Sequence, residues 1–182
     1  MTGYVIEAPA KSRQEIRYMA ELVRSFTEKL TGKSAPYFDV ASVIEQVLLA
    51  IDPAFILEVL EVGVMGDTHG LTTPSQHTIQ LRQDVYEGAC RGKGRDRLTI
   101  AHEIGHYVLH DGLTLPRKIE KSKVPAYRDA EWQANCFAGE LLVSARYAKE
   151  CRNSFEVSEM FGVSDACAAI QYRVLKREGL IR

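Results

Sequence analysis

The sequence predicts an α+β fold: a small, mostly antiparallel sheet packed on one central helix, with further helices before and after it. Three observations carry this. Two amphipathic patterns fill residues 12–52, short β-branched runs cluster between 55 and 82, and helical periodicity returns from about 97 to the end. A chain of 182 residues can bury one good core. The expected organisation is a main domain over 1–143, including the N-terminal helices, and a helical helix-turn-helix-like subdomain over 144–182.

The first helix runs from Ser12 to Leu30, with Ile16, Met19, Ala20, Val23, Phe26 and Leu30 at helical spacing and Gly32 as its stop. The second starts at Asp39, a good N-cap, and must end before Pro53. "FILEVLEV", "HGLTT" and "HTIQLR" read as three strands, the last two joined by a turn at Pro74-Ser75. "RGKGRDR", 91–97, reads as a basic loop entering a helix whose apolar stripe is Ala101, Ile104, Gly105, Val108 and Leu109. Asp111-Gly112 is expected to end that helix, and "LTLPRKIEKSKVPAY" to cross the surface as a long loop. A helix from about Tyr127 to Leu142 buries Ala134, Phe137, Ala138, Leu141 and Leu142. Three shorter helices close the chain: Ser144–Cys151, Ser154–Phe161 and Ser164–Glu178.

Composition narrows the function classes. With 46% hydrophobic and 26% charged residues and a net charge of -1, nothing general favours nucleic acid or an anionic membrane. The N-terminal residues are too polar for a signal peptide and no apolar run approaches a membrane span, so a cytoplasmic protein without membrane association is expected. Cys90, Cys136, Cys151 and Cys167 lack metal-knuckle spacing and read as reduced thiols.

The chemistry lies in "TIAHEIGHYVLHDG", residues 99–112. His102 and His106 stand one helical turn apart, roughly 6 Å along the axis, so both imidazoles can reach one ion about 2.0–2.1 Å from each nitrogen. His110 lies roughly 12 Å from His102 at 1.5 Å per residue, too far to share that ion on a straight helix. The pair forms HExxH, in which two histidines bind zinc and the intervening glutamate, here Glu103, serves as general base. His110 is read as closing the last turn or packing behind the pair.

A catalytic zinc site needs a third protein ligand and an open position. Asp111, Glu120, Asp129, Glu131 and Glu140 are all downstream. Glu131 fits best, since it shares a helix side with Ala134, Ala138 and Leu142, and Asp129 is second. The competing use of either acid is to complement a helix N-terminus. His69 and Tyr127 are weaker candidates for stabilising an oxyanion.

"RDRLTIAHEIGHYVLHDG" followed by "DAEWQANCFAGELLVS" resembles the ImmA/IrrE family of zinc metallopeptidases; "HGLTTP", "IQLRQDVYEGACRG" and "FGVSDACAAIQYRVL" match its order as well. The likeness spans about Pro36 to Leu175. It implies a minimal zincin-like fold and zinc as cofactor. The family's ExxAxxFAxxLL segment falls on Glu131, making it the third ligand. Val143-Ser144 stands where the family often has Met-Pro. The implied activity is that of an endopeptidase cutting a helix-turn-helix transcriptional repressor, in a stress response or mobile element. The alternative is a regulatory protein that binds metal without proteolysis, or that binds DNA.

The C-terminal "SFEVSEMFGVSDACAAIQYRVLKREGLI" reads as a helix-turn-helix with Val157, Met160, Phe161, Val163, Ala166 and Ile170 as its core and Gly162 at the turn. The start of its second helix offers an acid and small side chains instead of base or phosphate contacts, so direct DNA binding is not expected. Arg91, Lys93, Arg95 and Arg97 read as a solvated loop able to steer an acidic partner.

Overall fold

The computed structural model describes residues 4–110, 118–120 and 124–181. Helix α1 (Arg13–Thr31) opens with a capping box in which Ser12 Oγ accepts from Glu15 N–H and the Glu15 carboxylate accepts from Ser12 N–H. Gly32 closes it at φ 68°, a left-handed cap suited to glycine. Asp39 then caps a helical stretch, 40–51, made of α2 (Val40–Ser42), a π-helical Val43–Val47 and α3 (Leu48–Ile51). Its apolar residues Val43, Ile44, Val47 and Leu48 are buried against Ile16, Ala20 and Val23 of α1.

Strands β2 (Ile56–Leu60), β3 (Gly70–Thr73) and β4 (Thr78–Arg82) form a sheet in the order β2-β4-β3. The expected antiparallel character holds for one pair only. β3 runs antiparallel to β4, but β2 pairs with β4 in parallel, so the sheet is mixed. The short helix α4 (Val62–Met65) carries the chain past the central position, and β4 returns into it. The turn between β3 and β4 is a 3-10 turn, Pro74–Gln76, closed by His77 at φ 53°. Ile79 and Leu81 on the inner face of β4 are fully buried.

Helix α5 (Gln83–Cys90), absent from the sequence expectation, leads to α6 (Gly94–Leu109), which carries HExxH. α7 (Ala130–Leu142) crosses α6 closely: a Cβ on Gly105 would lie 3.1 Å from Ala134 O and from Phe137 Cδ1. The stretch after α6 is not wholly a loop. Strand β5 (Lys118–Glu120) pairs antiparallel with β1 (Tyr4–Ile6), while Asp111 and Gly112 lie outside the described residues. Helices α8 (Ala145–Ala148), α9 (Ser154–Phe161) and α10 (Asp165–Arg177) follow at the expected places, capped by Ser144, Asn153 and Ser164. No helix among the described residues is long and apolar enough to cross a membrane.

Two expectations are corrected by burial. α10 buries Cys167, Ala168, Gln171, Val174 and Leu175, whereas Ala166 is exposed and Ile170 is 56% exposed. Arg97 is not a solvated loop residue; it is 0% exposed, one turn inside α6. Its guanidinium donates to Phe161 O and Phe38 O at 2.8 Å and to Gly162 O, and lies 3.9 Å from the Tyr37 ring centroid. The start of α6 is thereby bolted to the turn between α9 and α10.

Candidate metal centre

His102 and His106 project from one face of α6, with ring centroids 4.6 Å apart and Nε2 atoms 3.0 Å apart. Glu131 reaches them from the first turn of α7. The Asp129 carboxylate caps that helix, accepting from Glu131 N–H at 2.9 Å and Trp132 N–H at 3.4 Å, and so fixes where Glu131 starts. Glu131 Oε2 lies 3.3 Å from His102 Nε2, and Oε1 lies 3.3 Å from His106 Nε2. Among the described residues these three form a cluster able to hold a metal ion.

The donor spacing decides what fits. A tetrahedral ion with bonds of about 2.0–2.1 Å separates neighbouring donors by about 3.3 Å, close to the 3.0 Å between the imidazole nitrogens and the 3.3 Å from each of them to one of the two Glu131 oxygens. Two imidazoles and a carboxylate also suit zinc chemically and would leave a fourth position for water, and Glu131 itself is half-exposed. The electrostatics agree. The facing imidazoles of His102 and then His106 hold the Glu131 carboxyl well below the usual carboxylate range, despite its partial burial. Burial works to lower His102, but the Glu131 carboxylate, the nearby Glu103 charge and Asn135 outweigh it and raise its pKa. The site favours positive charge beside Glu131.

Glu103 follows His102 but points toward the sheet and is 6% exposed. The Thr72 hydroxyl donates to its Oε2 at 2.6 Å and lies 3.1 Å from its backbone oxygen. Gly70 packs against the same side chain: a Cβ there would sit 2.7 Å from Glu103 Cγ, 2.8 Å from Oε1 and 2.9 Å from Cδ. The register explains why. Gly70 pairs with Leu81 and Thr72 with Ile79, so both share the inner face of the sheet, and Leu71 points out.

His110 is not a third imidazole in the cluster. It is the C-cap residue of α6, 4% exposed, with its Nδ1 3.1 Å from His106 Nδ1 and its Nε2 3.0 Å from Gln133 Oε1. Burial pushes its pKa down to about 4, against the opposing Gln133 hydrogen bond.

The other acids are engaged elsewhere. Asp129 is a cap, and the buried Glu140 accepts from Arg13 at 3.1 Å and Arg17 at 2.7 Å. Asp111 lies outside the described residues; Glu120 lies in β5. Neither the His69 imidazole nor the Tyr127 hydroxyl hydrogen-bonds to the cluster among the described residues; Tyr127 instead contributes its carbonyl to Gln133. Thr72, Gly70 and Gln133 were not singled out by sequence reasoning. Only Gly70 left a signal, as a glycine inside a strand, which marks close approach of another group.

No curated protein matches the chain. The sequence model of the IrrE N-terminal-like domain matches residues 63–173, from α4 through β3, β4, the HExxH helix and Glu131 into the last helix. Since that match covers well over half of the chain and contains every residue of the cluster, the chain belongs to the IrrE N-terminal-like domain family of peptidases.

Proposed function

We propose that the protein is a zinc-dependent endopeptidase in which His102, His106 and Glu131 hold the metal and Glu103 is the general base. The observation that carries this is the convergence of the three donor groups at 3.0–3.3 Å, with a buried carboxylate on the neighbouring residue. A zinc ion held there supplies Lewis acidity that makes water nucleophilic near neutral pH and polarises a substrate carbonyl.

The chain's own residues do the rest. Glu103 takes the proton from the attacking water at a carboxylate oxygen and returns it to the leaving amine nitrogen. Thr72 occupies Oε2, which leaves Oε1 the freer oxygen for that transfer. β3 is an edge strand, pairing only with β4 among the described strands, and it runs beside Glu103. An extended substrate peptide adding to this edge would be held by main-chain hydrogen bonds with its scissile bond near the cluster.

The substrate we infer is a helix-turn-helix transcriptional repressor, supported by the family resemblance, and the setting a stress response or mobile element in the cytoplasm. The main domain over 1–143 is read as the minimal zincin-like peptidase, and 144–182 as a helix-turn-helix-like buttress. Direct DNA binding is disfavoured because the turn before α10 is packed on Gly94 and Arg97, and Asp165 and Ala166 are the first exposed residues of α10.

Two measurements test the reading. A repressor encoded beside the gene should be cut by the native protein and spared when a chelator is present. Glu103→Gln should retain zinc at the native stoichiometry and lose cleavage by at least about 100-fold, the scale of a general base. Normal cleavage by that variant would contradict the mechanism; zinc binding without cleavage by the native protein would favour a non-proteolytic metal-binding regulator.

A further inference from the structure

The hydrogen bonds around Gln133 determine which nitrogen of His106 carries a proton. Gln133 is fully buried in α7, with its Nε2 at 2.8 Å from both Pro9 O and Tyr127 O. Carbonyl oxygens only accept, so both amide hydrogens must face them, and Gln133 Oε1 must be the atom turned to His110. His110 Nε2, 3.0 Å from that oxygen, therefore carries a hydrogen. A buried, neutral imidazole has one hydrogen, so His110 Nδ1 presents a lone pair. His106 Nδ1, 3.1 Å away, must be the donor. With that hydrogen on Nδ1, His106 as a neutral imidazole presents its Nε2 lone pair to the point it shares with His102 Nε2 and Glu131.

We propose that Gln133 and His110 are positioning residues that lock His106 in its Nδ1–H tautomer, so that Nε2 is the metal-binding atom. The anchor reaches into the N-terminal segment. Pro9 supplies one of the two carbonyls that orient Gln133, and the segment is pinned by Ala8 N–H to Arg128 O at 2.8 Å and Lys11 N–H to Tyr127 O at 2.9 Å. Residues before 63, outside the family match, thus help to prepare a ligand on α6. The general logic is that the partner on the far nitrogen of a ligating histidine sets its tautomer and ring orientation.

The inference rests on the metal-binding reading of the triad and not on peptidase activity. Its test uses the full chain stripped of metal, with 15N imidazole shifts reporting the His106 tautomer and zinc titration against a chelating indicator reporting affinity. The native protein should show His106 protonated on Nδ1. Gln133→Leu and His110→Phe should each show a tautomer mixture or a displaced His106 ring, and bind zinc about 10- to 100-fold more weakly. Finding the native His106 proton on Nε2 would overturn the relay, as would folded variants, checked by thermal melting, that bind zinc within twofold of native. If both variants fail to fold, the native tautomer decides alone. A native protein that binds zinc with Nδ1–H on His106 but cuts no peptide would remove the peptidase reading and leave the relay standing.

Discussion

At the scale of single residues, the site depends on groups whose roles are invisible without the pairing of strands. Gly70 is the clearest. Any side chain there would enter the space of the Glu103 carboxylate, so Gly70→Ala must displace the proposed base by a substantial fraction of an ångström. We expect cleavage to fall roughly 10- to 100-fold, as small misplacements of reacting groups do, with zinc content unchanged. Steady-state kinetics beside metal analysis would check this; a fully active Gly70→Ala protein would mean Glu103 has another position in which it works. His102, Glu103 and His106 stood out as candidates because HExxH encodes its geometry in one helix, whose pitch is known beforehand. Helix side favoured Glu131 over Asp129 only weakly and the likeness to a family strengthened that choice, since both are acids at the start of α7 and the capping bonds are what separate their uses. Gln133 gave no sign, because its importance lies in partners from Pro9, Tyr127 and His110 that no local pattern connects.

At the scale of elements, the ends of helices were read well and the helix faces less well. Ser12, Asp39, Ser144 and Ser164 cap as local chemistry requires, since a cap needs only the next three residues. The buried face of α10 was misphased by one residue: Ala166 and Ile170 are apolar at helical spacing, but Cys167, Ala168 and Gln171 meet the core instead. The parallel pairing of β2 with β4 is likewise a long-range choice that alternation cannot reveal. Arg97 shows what such packing costs to disturb. Arg97→Met would leave the carbonyls of Phe38, Phe161 and Gly162 without their buried donor, and we expect a loss of about 3 kcal/mol in denaturant unfolding. Asp52 ties the C-terminal end of α3 to the turn before β4 and to α6. Hydrogen bonds from Tyr107, then His77, then Ala54 N–H pull its carboxyl down to about 2. A carboxyl depressed in the folded state stabilises above its unfolded value of about 3.9 and ceases to do so as pH falls toward its folded one. The urea midpoint should therefore drop between about pH 4 and pH 2, and Asp52→Asn should flatten that part of the curve; identical acid limbs would show that the link carries no folding energy.

At the scale of the whole molecule, the HExxH helix is a strut between two halves. Its N-terminal end is held by Arg97 to the turn between α9 and α10, its middle lies against the sheet through Glu103 and against α7 through Gly105, and its C-terminal end is fixed by His110 and Gln133. The buried Glu140, joined to Arg13 and Arg17 of α1, ties α7 to the N-terminal helix. Each of the three candidate donors therefore sits on an element braced from at least two sides, which suits the preformed metal site proposed here. The central claim is that these three donors form one zinc site. X-ray absorption at the zinc edge, on protein loaded with one equivalent, tests it most directly. The account predicts two imidazole nitrogens at about 2.0–2.1 Å with carboxylate and water oxygens at about 2.0–2.2 Å, and one imidazole fewer in His106→Ala. A sulfur scatterer at about 2.3 Å, or a native zinc site with no more than one imidazole, would contradict it.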